Sequence, residues 1–468
     1  MSQNFLSDLY DEYQHFSESS IKSRRFSHSD LINIINKITS EGKIEKSILG
    51  YSVEGREIFL IKIGTGKTIV LLWSQMHGDE ATATSAFLDI FNFFIDSSNK
   101  FSDEKKVITK NLTLYFIPML NPDGAEKFVR FNSVGIDINR DARALQSPEA
   151  KMLSNIVDEI KPDFAFNMHD QDYRWSVGGN DKVVALSVLA PAFDEAKTIN
   201  ESRSKAISLL SKLIKKFKPL TEERITRYGD DFEPRSFGDT IASKEVSTIL
   251  IEAGRWKSDR EKQFLRKLNF LLLLESFYMI CTEKLEKDDS EYLSVPFNGK
   301  FLYDLVLRNV LIKKEENSFK VDIAINREEK FFSKDRTFYY ISNIEAIGDL
   351  STIYGIEEYD CDGLTLSEGK ITEEEINQLD LGNVSVIEQL LEKEILFVKI
   401  DESEYEIKFT KLTMNLLNNK NHNIGAVEIS NSANFILKEN SVIKYFVLNG
   451  FLVNADKIEM FEGNCLIV

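Results

Sequence analysis

The sequence predicts an α/β protein with a mostly parallel, mixed sheet flanked by helices, followed by a β-rich C-terminal domain. Short apolar runs alternate with segments of helical spacing up to about residue 285. Beyond Pro296, short alternating segments rich in Ile, Val, Phe and Tyr dominate. The charge changes near the same place, because residues 290–468 hold 18 basic and 31 acidic residues. A chain of 468 residues is long enough for about two to four domains.

Five apolar runs in the first part of the chain are predicted to be strands of one sheet. The run at residues 68–73 is apolar on both faces, as are strands buried inside a parallel sheet. Helical segments separate most of these runs, and such crossovers favour parallel pairing. The predicted strands are residues 57–63, 68–73, 112–117, 163–168 and 247–251.

The segments between these strands carry apolar residues at helical spacing. Phe87, Ile90 and Phe91, for example, recur at the interval that places them on one helix face. Ser147 and Pro148 are typical of an N-cap and a first helical position. The predicted helices are residues 81–95, 148–160, 206–217 and 259–285, and residues 1–47 are predicted to form a helical N-terminal segment.

Composition excludes several classes of partner and compartment. The formal net charge of -17 argues against binding to nucleic acid or to an anionic membrane surface. The three cysteines are widely spaced, so we expect free thiols rather than a disulfide framework or a thiolate metal site. The N-terminus lacks the regions of a secretory signal, and no run of about 18 apolar residues occurs. We therefore expect a cytoplasmic protein.

Two of the five histidines directly follow predicted strands. His77 follows the strand at 68–73, Glu80 comes three residues later, and His169 follows the strand at 163–168. Because sites form at the carboxyl ends of strands in open α/β sheets, we expect these side chains to meet at one edge. Two histidines and a glutamate are the protein ligands of one class of catalytic zinc site. The pattern predicts one Zn²⁺ ion per chain, held by His77, Glu80 and His169.

Further motifs follow in the order of the chain. Residues 121–124 read Asn-Pro-Asp-Gly, residues 130–140 contain Arg-x-Asn and Gly-x-Asp-x-Asn-Arg, and Glu252 ends the strand at 247–251. Together with His-x-x-Glu and the later histidine, these residues resemble the zinc carboxypeptidase family, the metallocarboxypeptidases related to carboxypeptidase A. The resemblance covers about residues 49–285. It implies a carboxypeptidase-like fold and a metalloprotease that hydrolyses the C-terminal amide bond of its substrate.

The resemblance also implies a role for each matching residue. His77, Glu80 and His169 match the zinc ligands. Glu252 matches the general base that takes a proton from water and returns it to the leaving amine. Arg130 matches the arginine that polarises the scissile carbonyl and stabilises the oxyanion.

Three more matches concern substrate binding and the orientation of the metal ligands. Asn139 and Arg140 match the pair that binds the terminal carboxylate, a task that suits the planar guanidinium. Asp137 matches the carboxylate that accepts a hydrogen bond from the first zinc histidine and thereby orients its ring. The implied partner is a peptide or peptide-like substrate with a free C-terminal carboxylate.

Two departures from the family pattern leave alternatives open. Tyr228 is the nearest match to a substrate-capping tyrosine, but it also fits a surface aromatic in a loop. His169 is followed by Asp-Gln, which places the chain in a divergent subgroup and leaves the side-chain pocket unassigned. Arg174, Arg235 and Arg255 are candidates to pair with an acidic substrate group or to form surface salt bridges.

The predicted domains are residues 1–47, a catalytic domain at 48–288, and an acidic accessory domain at 292–468 without a recognisable motif. Two other functions are compatible with the same sequence. One is a zinc-dependent deacylase or amidase that acts on N-acyl amino acids or peptidoglycan fragments. The other is a catalytically silent binding protein. The oligomeric state is left open.

Overall fold

A computed structural model of the chain describes residues 5–467 except 41, 99, 333–336, 377–380, 382, 401–408 and 418–425. The chain forms two compact units, Met1–Lys300 and Phe301–Val468. Every candidate site residue lies in the first unit. Among the described residues, no helix combines the length and apolar character needed to cross a membrane.

The first unit is built on an eight-stranded mixed sheet with the order β1-β2-β4-β3-β5-β9-β7-β8. The central pairs β4/β3, β3/β5 and β5/β9 are parallel, whereas β1/β2, β2/β4 and β9/β7 are antiparallel. Two short strands, β6 and β10, pair separately. The strands are β1 Glu45–Tyr51, β2 Glu57–Ile63, β3 Thr68–Trp73, β4 Leu112–Ile117, β5 Phe164–Asp170, β6 Trp175–Val177, β7 Leu186–Leu189, β8 Ile225–Arg227, β9 Ser247–Ala253 and β10 Asn298–Phe301.

Helices cover both faces of this sheet. Val70 and Leu72 of β3 belong to one apolar cluster, and Leu71 and Trp73 belong to another, because successive strand residues point to opposite faces. The helices of the unit are α1 Phe5–Phe16, α2 His28–Thr39, α3 Thr82–Ile95, α4 Ser102–Asn111, α5 Pro122–Lys127, α6 Pro148–Ile160, α7 Glu201–Phe217, α8 Phe237–Ala242, α9 Gln263–Thr282 and α10 Ser290–Ser294. Helices α3, α7 and α9 pack their apolar residues on one face of the sheet, and α6 and α8 pack theirs on the other.

The predicted fold class is confirmed. The predicted strands and helices fall on β2, β3, β4, β5, β9, α3, α6, α7 and α9, with ends shifted by a few residues. Ser147 caps α6 by accepting a hydrogen bond from the backbone N–H of Ala150. The sequence pattern did not reveal β1, whose residues are largely exposed, or the short strands β6, β7 and β8. An exposed edge strand lacks the continuous apolar pattern by which buried strands are found.

The second unit is β-rich, as predicted. Its largest sheet has the order β13-β12-β11-β15-β20-β21-β22, with β14 also paired to β11. The sheet is mainly antiparallel, but the separate β16-β17-β19 sheet is parallel. The strands are β11 Tyr303–Lys314, β12 Asn317–Phe332, β13 Thr337–Gly348, β14 Gly355–Asp360, β15 Thr365–Glu368, β16 Lys370–Ile371, β17 Ile395–Lys399, β18 Phe409–Thr410, β19 Asn415–Leu417, β20 Phe435–Glu439, β21 Val442–Leu448, β22 Phe451–Asn454 and β23 Cys465–Leu466, with helix α11 at Val384–Glu392.

All three cysteines have free thiols. Cys361 and Cys465 are buried in the second unit, and Cys281 is partly exposed in α9 of the first. Burial raises the pKa of Cys361 to about 12. Protonated, buried thiols of this kind behave as small apolar side chains.

A buried ion pair joins the helices on one face of the first sheet. Arg266 of α9 and Asp89 of α3 are 1% and 0% exposed, and Nη2 lies 2.5 Å from Oδ1. Arg266 also donates hydrogen bonds to the carbonyl oxygens of Glu18 and Ile21. Tyr13 of α1 donates to the other oxygen of Asp89 at 2.9 Å. The pair therefore ties α1 and the segment after it to α3 and α9.

We predict that Asp89→Asn lowers the free energy of unfolding of the first unit by about 3–5 kcal/mol, because Arg266 would stay buried without its counter-charge. Guanidinium denaturation followed by circular dichroism measures this change. Asp103→Asn is the matched control, since that side chain is 94% exposed. Equal stability of the two variants would show that the buried pair is not needed.

Candidate metal centre and active site

The candidate site lies where three neighbouring strands end. Strands β3, β5 and β9 are adjacent and parallel, so their carboxyl ends lie at one edge of the sheet. His77 follows β3 by four residues, and His169 and Glu252 lie near the ends of β5 and β9. His169 and Glu252 are paired in the register of the two strands. The topology therefore brings residues that are far apart in the sequence to one place.

His77, Glu80 and His169 form a compact group of side chains that could hold a metal ion. One ligand atom from each lies within 4.8 Å of the others. Nδ1 of His77 lies 2.8 Å from one oxygen of Glu80, and Nδ1 of His169 lies 2.7 Å from the other. The histidines are 2% and 3% exposed. The structure thus brings together the three predicted metal ligands.

Further contacts hold Glu80 and His77 in place. The backbone N–H of Asp170 donates to the Glu80 oxygen that also faces His169, at 3.1 Å. Nε2 of His77 lies 3.1 Å from Oδ1 of Asp137. Carboxylates commonly orient metal-binding histidines in this way, and Asp137 is where the sequence resemblance places such a residue.

The chemistry of these donors fits a divalent cation. A carboxylate only accepts hydrogen bonds, so Nε2 of His77 donates to Asp137, and a neutral ring would present its lone pair at Nδ1. That lone pair faces the Glu80 carboxylate, and two acceptors in contact require a proton or a metal ion between them. Burial alone would lower the pKa of His77, but Glu80 and Asp137 outweigh it and raise the pKa to about 9. The same field that attracts a proton would attract Zn²⁺.

His169 differs from His77 in its surroundings. Its Nε2 is buried and has no hydrogen-bond partner among the described residues. Burial lowers the pKa of His169, although Glu80 opposes this effect. A neutral imidazole is the form that binds a metal. His169 is therefore predisposed to ligation through the Nδ1 atom that faces Glu80.

Arg130 lies against the same group. Its Nε and Nη2 both donate to Oδ2 of Asp137, at 3.0 and 2.9 Å. Its Nη1 lies 3.2 Å from Nδ1 of His77 and 3.6 Å from Glu80. The side chain is only partly buried, so the guanidinium is positioned beside the metal-binding group while part of it faces solvent.

The Asn-Pro-Asp-Gly turn supports the loop that carries His77. Asn121 caps α5 through Gly124, and its amide nitrogen also donates to the carbonyl oxygens of Met76 and Arg130. A Cβ atom at Gly78 would lie 2.0 Å from the backbone of Gly124, so the two loops approach more closely than any other residue allows. The motif therefore positions His77 and Arg130 rather than supplying chemistry.

Glu252 lies beside His169, and its carboxylate forms no hydrogen bond with the described part of the chain. Ser187 of β7 is its neighbour on the other side. Burial raises the pKa of Glu252 well above its usual value, and the negative charge of Glu80 adds to the shift. A carboxylate is suited to proton transfer when its pKa is raised and no other side chain forms a hydrogen bond with it.

Asn139 and Arg140 lie in a short 3₁₀ helix, Ile138–Arg140, capped by Asp137. The side-chain carbonyl of Asn139 accepts a hydrogen bond from the backbone N–H of Phe237 at 3.0 Å, which fixes its amide group. Arg140 is exposed, and its Nε lies 3.9 Å from Glu233. The Glu233 carboxylate also receives two hydrogen bonds from Arg235, at 3.0 and 2.7 Å. An internal carboxylate therefore lies next to the guanidinium proposed to bind a carboxylate.

Tyr228 directly follows β8, and its backbone N–H donates to the carbonyl oxygen of Val188. Burial raises the pKa of its hydroxyl, and the charges of Glu252 and Glu80 raise it further. The phenol therefore lies within electrostatic range of the site. Its role as a substrate-capping residue stays a prediction.

Two charged residues near the site were not assigned from the sequence. Glu233 lies in a segment of no known motif, and only folding brings it to Arg140. Lys262 donates to Asp170 at 3.1 Å, and Thr82 donates to the same oxygen at 2.6 Å. These contacts hold Asp170 in place, and the backbone N–H of Asp170 donates to Glu80.

Of the arginines considered for substrate recognition, Arg174 pairs with Asp172 at 3.0 Å.

Residues 34–182 match the sequence profile of the family described as zinc carboxypeptidase. This segment is similar to the zinc carboxypeptidases, the family that the sequence motifs resemble. The match includes His77, Glu80, Arg130 and His169 but ends before Glu252.

An uncharacterized protein of Zymomonas mobilis is 23% identical over 149 residues, which are 31% of this chain and 38% of that protein. The chain thus aligns with well under half the length of this relative.

Several solved structures, among them metallo-carboxypeptidases, resemble part of the chain. A metallo-carboxypeptidase from Burkholderia cenocepacia is 18% identical, with a TM-score of 0.46 over 55% of this chain and 70% of that one. A metallo-carboxypeptidase from Pseudomonas aeruginosa is 14% identical, with a TM-score of 0.44 over 55% and 69%. Bovine thrombin-activatable fibrinolysis inhibitor is also 14% identical, with a TM-score of 0.45 over 57% and 98%.

We predict that Asp137→Asn weakens Zn²⁺ affinity by about 10–100-fold, because the amide cannot orient His77 as a carboxylate does. Asparagine retains the ability to cap the 3₁₀ helix, so the thermal stability of the metal-free protein should change little. Competition with a chromophoric chelator measures the affinity. Asp172→Asn, at an exposed position, is the control, and equal affinities in the two variants would contradict a role for Asp137.

Proposed function

We propose that the protein is a zinc-dependent metallocarboxypeptidase that hydrolyses the C-terminal amide bond of a peptide or peptide-like substrate. The observation that carries this proposal is the group of His77, Glu80 and His169, whose ligand atoms lie within 4.8 Å, with Glu252 paired opposite His169. The family match over residues 34–182 supports it. A site with ligands, a base and an arginine together contains the groups that amide hydrolysis by zinc requires.

Substrate binding is assigned to Asn139 and Arg140. The exposed Arg140 guanidinium would pair with the terminal carboxylate of the substrate. The amide nitrogen of Asn139 would donate to the same group, since its carbonyl oxygen is already held by Phe237. Tyr228 would close over the bound residue. A carboxylate held at this point explains why an exopeptidase would act only on the last amide bond.

Each catalytic group then has a defined task. Zn²⁺ bound by His77, Glu80 and His169 would act as a Lewis acid that makes water a nucleophile near neutral pH. Glu252 accepts the proton that the attacking water loses and delivers it to the leaving amine. Arg130 stabilises the negative charge that develops on the scissile carbonyl oxygen. Asp137 keeps both His77 and Arg130 in position through its two oxygens.

The proposal is tested by hydrolysis of an N-blocked dipeptide with a free C-terminus. The zinc-loaded protein should release the terminal amino acid, and o-phenanthroline should abolish the activity. The same dipeptide with a C-terminal amide is the matched substrate control and should be cleaved poorly. Glutamyl and hydrophobic terminal residues compared side by side would define the side-chain preference.

Other outcomes would support the other functions. Release of the acyl group from N-acyl amino acids, without cleavage of the dipeptide, would show a deacylase. Zinc binding without hydrolysis of either substrate would show a catalytically silent protein. Failure to bind zinc at pH 7 would overturn the proposed function altogether.

We predict that Glu252→Gln lowers kcat by about 10²–10⁴-fold, because the amide cannot accept a proton. Zinc content should stay at the level of the parent protein, since Glu252 is outside the ligand group. Steady-state kinetics and metal analysis on the same sample measure both quantities. A variant that loses zinc together with activity would mean that Glu252 supports the metal rather than transferring protons.

The raised pKa of Glu252 predicts the pH dependence of activity. The base must be ionised, so kcat/KM should fall as the pH falls through a pKa above the ordinary value of 4.5. A pH profile with zinc content measured at each point separates this effect from loss of the metal. Full activity maintained down to about pH 4.5, with zinc bound, would contradict the assignment.

We predict that Glu233→Gln lowers KM by about two- to fivefold with little change in kcat, because Arg140 no longer interacts with an internal carboxylate. The hydrogen bonds from Arg235 hold the pKa of Glu233 at about 2, so the competing charge is present at every working pH. Initial-rate kinetics measure the effect, with the exposed Glu245→Gln as the control. An unchanged KM would mean that Arg140 does not bind the substrate carboxylate.

A further inference from the structure

A row of polar residues crosses four adjacent strands of the first sheet at the edge where β5 and β9 end. His169 of β5 pairs with Glu252 of β9. Glu252 pairs in turn with Ser187 of β7, and Ser187 pairs with Thr226 of β8. Side chains that are paired in register point to the same face of a sheet. The row therefore runs from the proposed metal ligand His169, through Glu252, to the last strand of the sheet.

Asn298 contacts this row from the segment that ends the first unit, beyond the catalytic domain predicted at 48–288. Its Oδ1 accepts a hydrogen bond from Thr226 and lies 2.7 Å from the hydroxyl oxygen of Ser187. Its Nδ2 donates to Oε1 of Gln171 at 2.9 Å. The hydroxyl of Ser187 lies 2.8 Å from the same oxygen of Gln171. Asn298 therefore joins side chains of β7 and β8 to the residue that follows β5.

Gln171 is one of the two residues after His169 by which the sequence departs from the family pattern. Its backbone N–H donates to the carbonyl oxygen of Ala253 at 3.0 Å, so Gln171 lies beside the end of β9. Gln171 is 8% exposed, and Ser187 and Thr226 are both 0% exposed. Buried amides and hydroxyls need partners inside the protein, and Asn298 is a partner of all three.

The backbone on both sides of Asn298 is held against the sheet. The backbone N–H of Arg227, at the end of β8, donates to the carbonyl oxygen of Pro296 at 2.7 Å. A Cβ atom at Gly299 would lie 1.9 Å from the backbone nitrogen of Gly179, so only glycine allows this approach. These contacts fix the point at which the Asn298 side chain reaches the row.

We propose that Asn298 is a positioning residue for Glu252. This inference rests on the proposed function, in which Glu252 transfers the proton. Because the Glu252 carboxylate forms no hydrogen bond with the described part of the chain, its place depends on β9 and on the two strands beside β9. Asn298 holds both sides, since Gln171 directly follows β5 and Ser187 lies in β7. A shift of the base by about 1 Å would slow proton transfer without removing a metal ligand.

The test compares kcat and KM of full-length, zinc-loaded variants on the N-blocked dipeptide. Asn298→Ala should lower kcat about tenfold, because the base is displaced, whereas KM and Zn²⁺ affinity should stay at the parent values. Lys300→Ala is the matched control, because its side chain is exposed in the same segment, and it should keep the kcat of the parent. Zinc content per chain, measured on the same samples, ensures that kcat refers to folded, loaded protein.

Ser187→Ala provides a second, smaller change in the same contact group. It should lower kcat by a similar factor, and it serves if Asn298→Ala does not fold. The double variant should be impaired no more than the weaker of the two single variants, because residues in one hydrogen-bonded group are not independent.

Three results with an active parent protein would overturn the inference and leave the proposed function standing. The first is an unchanged kcat in both single variants. The second is a loss of Zn²⁺ affinity together with kcat, because the group would then support His169 rather than Glu252. The third is a double variant in which the two losses of kcat multiply. No hydrolysis by the zinc-loaded parent protein would instead overturn the proposed function, and this inference with it.

Discussion

The parallel pairing of β3, β5 and β9 is the constraint on which the proposed site depends. It brings the carboxyl ends of three strands to one edge, so that His77, His169 and Glu252 meet although the first and the last are 175 positions apart in the sequence. Apolar clusters on both faces of the sheet bury these strands and keep their register. A one-residue slip of β9 against β5 would turn Glu252 to the opposite face and away from His169. Packing in the core therefore controls the geometry of the chemistry at the edge.

The site concentrates negative charge that a cation would balance. Glu80 lies between two histidines, and Asp137 lies between His77 and Arg130. In the absence of a metal ion, the carboxylates raise the pKa of His77, and burial with the charge of Glu80 raises that of Glu252. The charge of Glu80 contributes to both shifts, because a nearby carboxylate stabilises a bound proton on each group. A divalent cation at the same position would replace the proton on His77 and leave Glu252 as the base.

The fold and much of the site could be predicted because their signals are local. Buried parallel strands are continuous apolar runs, and residues at or just beyond their carboxyl ends, such as His169 and His77, can be placed at the sheet edge from the sequence pattern alone. Asp137 was recognisable only through its resemblance to a family motif. Glu233 and Lys262 were not recognised, because each reaches its partner through a tertiary contact that leaves no mark in the local sequence. The exposed edge strand β1 was missed because it has no apolar run.

The most direct test of the metal centre is anomalous diffraction at the zinc edge from crystals of the zinc-loaded protein. We expect one strong peak about 2.0–2.2 Å from Nδ1 of His77, Nδ1 of His169 and an oxygen of Glu80. Glu252 should lie outside the ligand sphere. A zinc ion bound elsewhere, or one bound to Glu252 instead of Glu80, would contradict the assignment of ligands and of the general base.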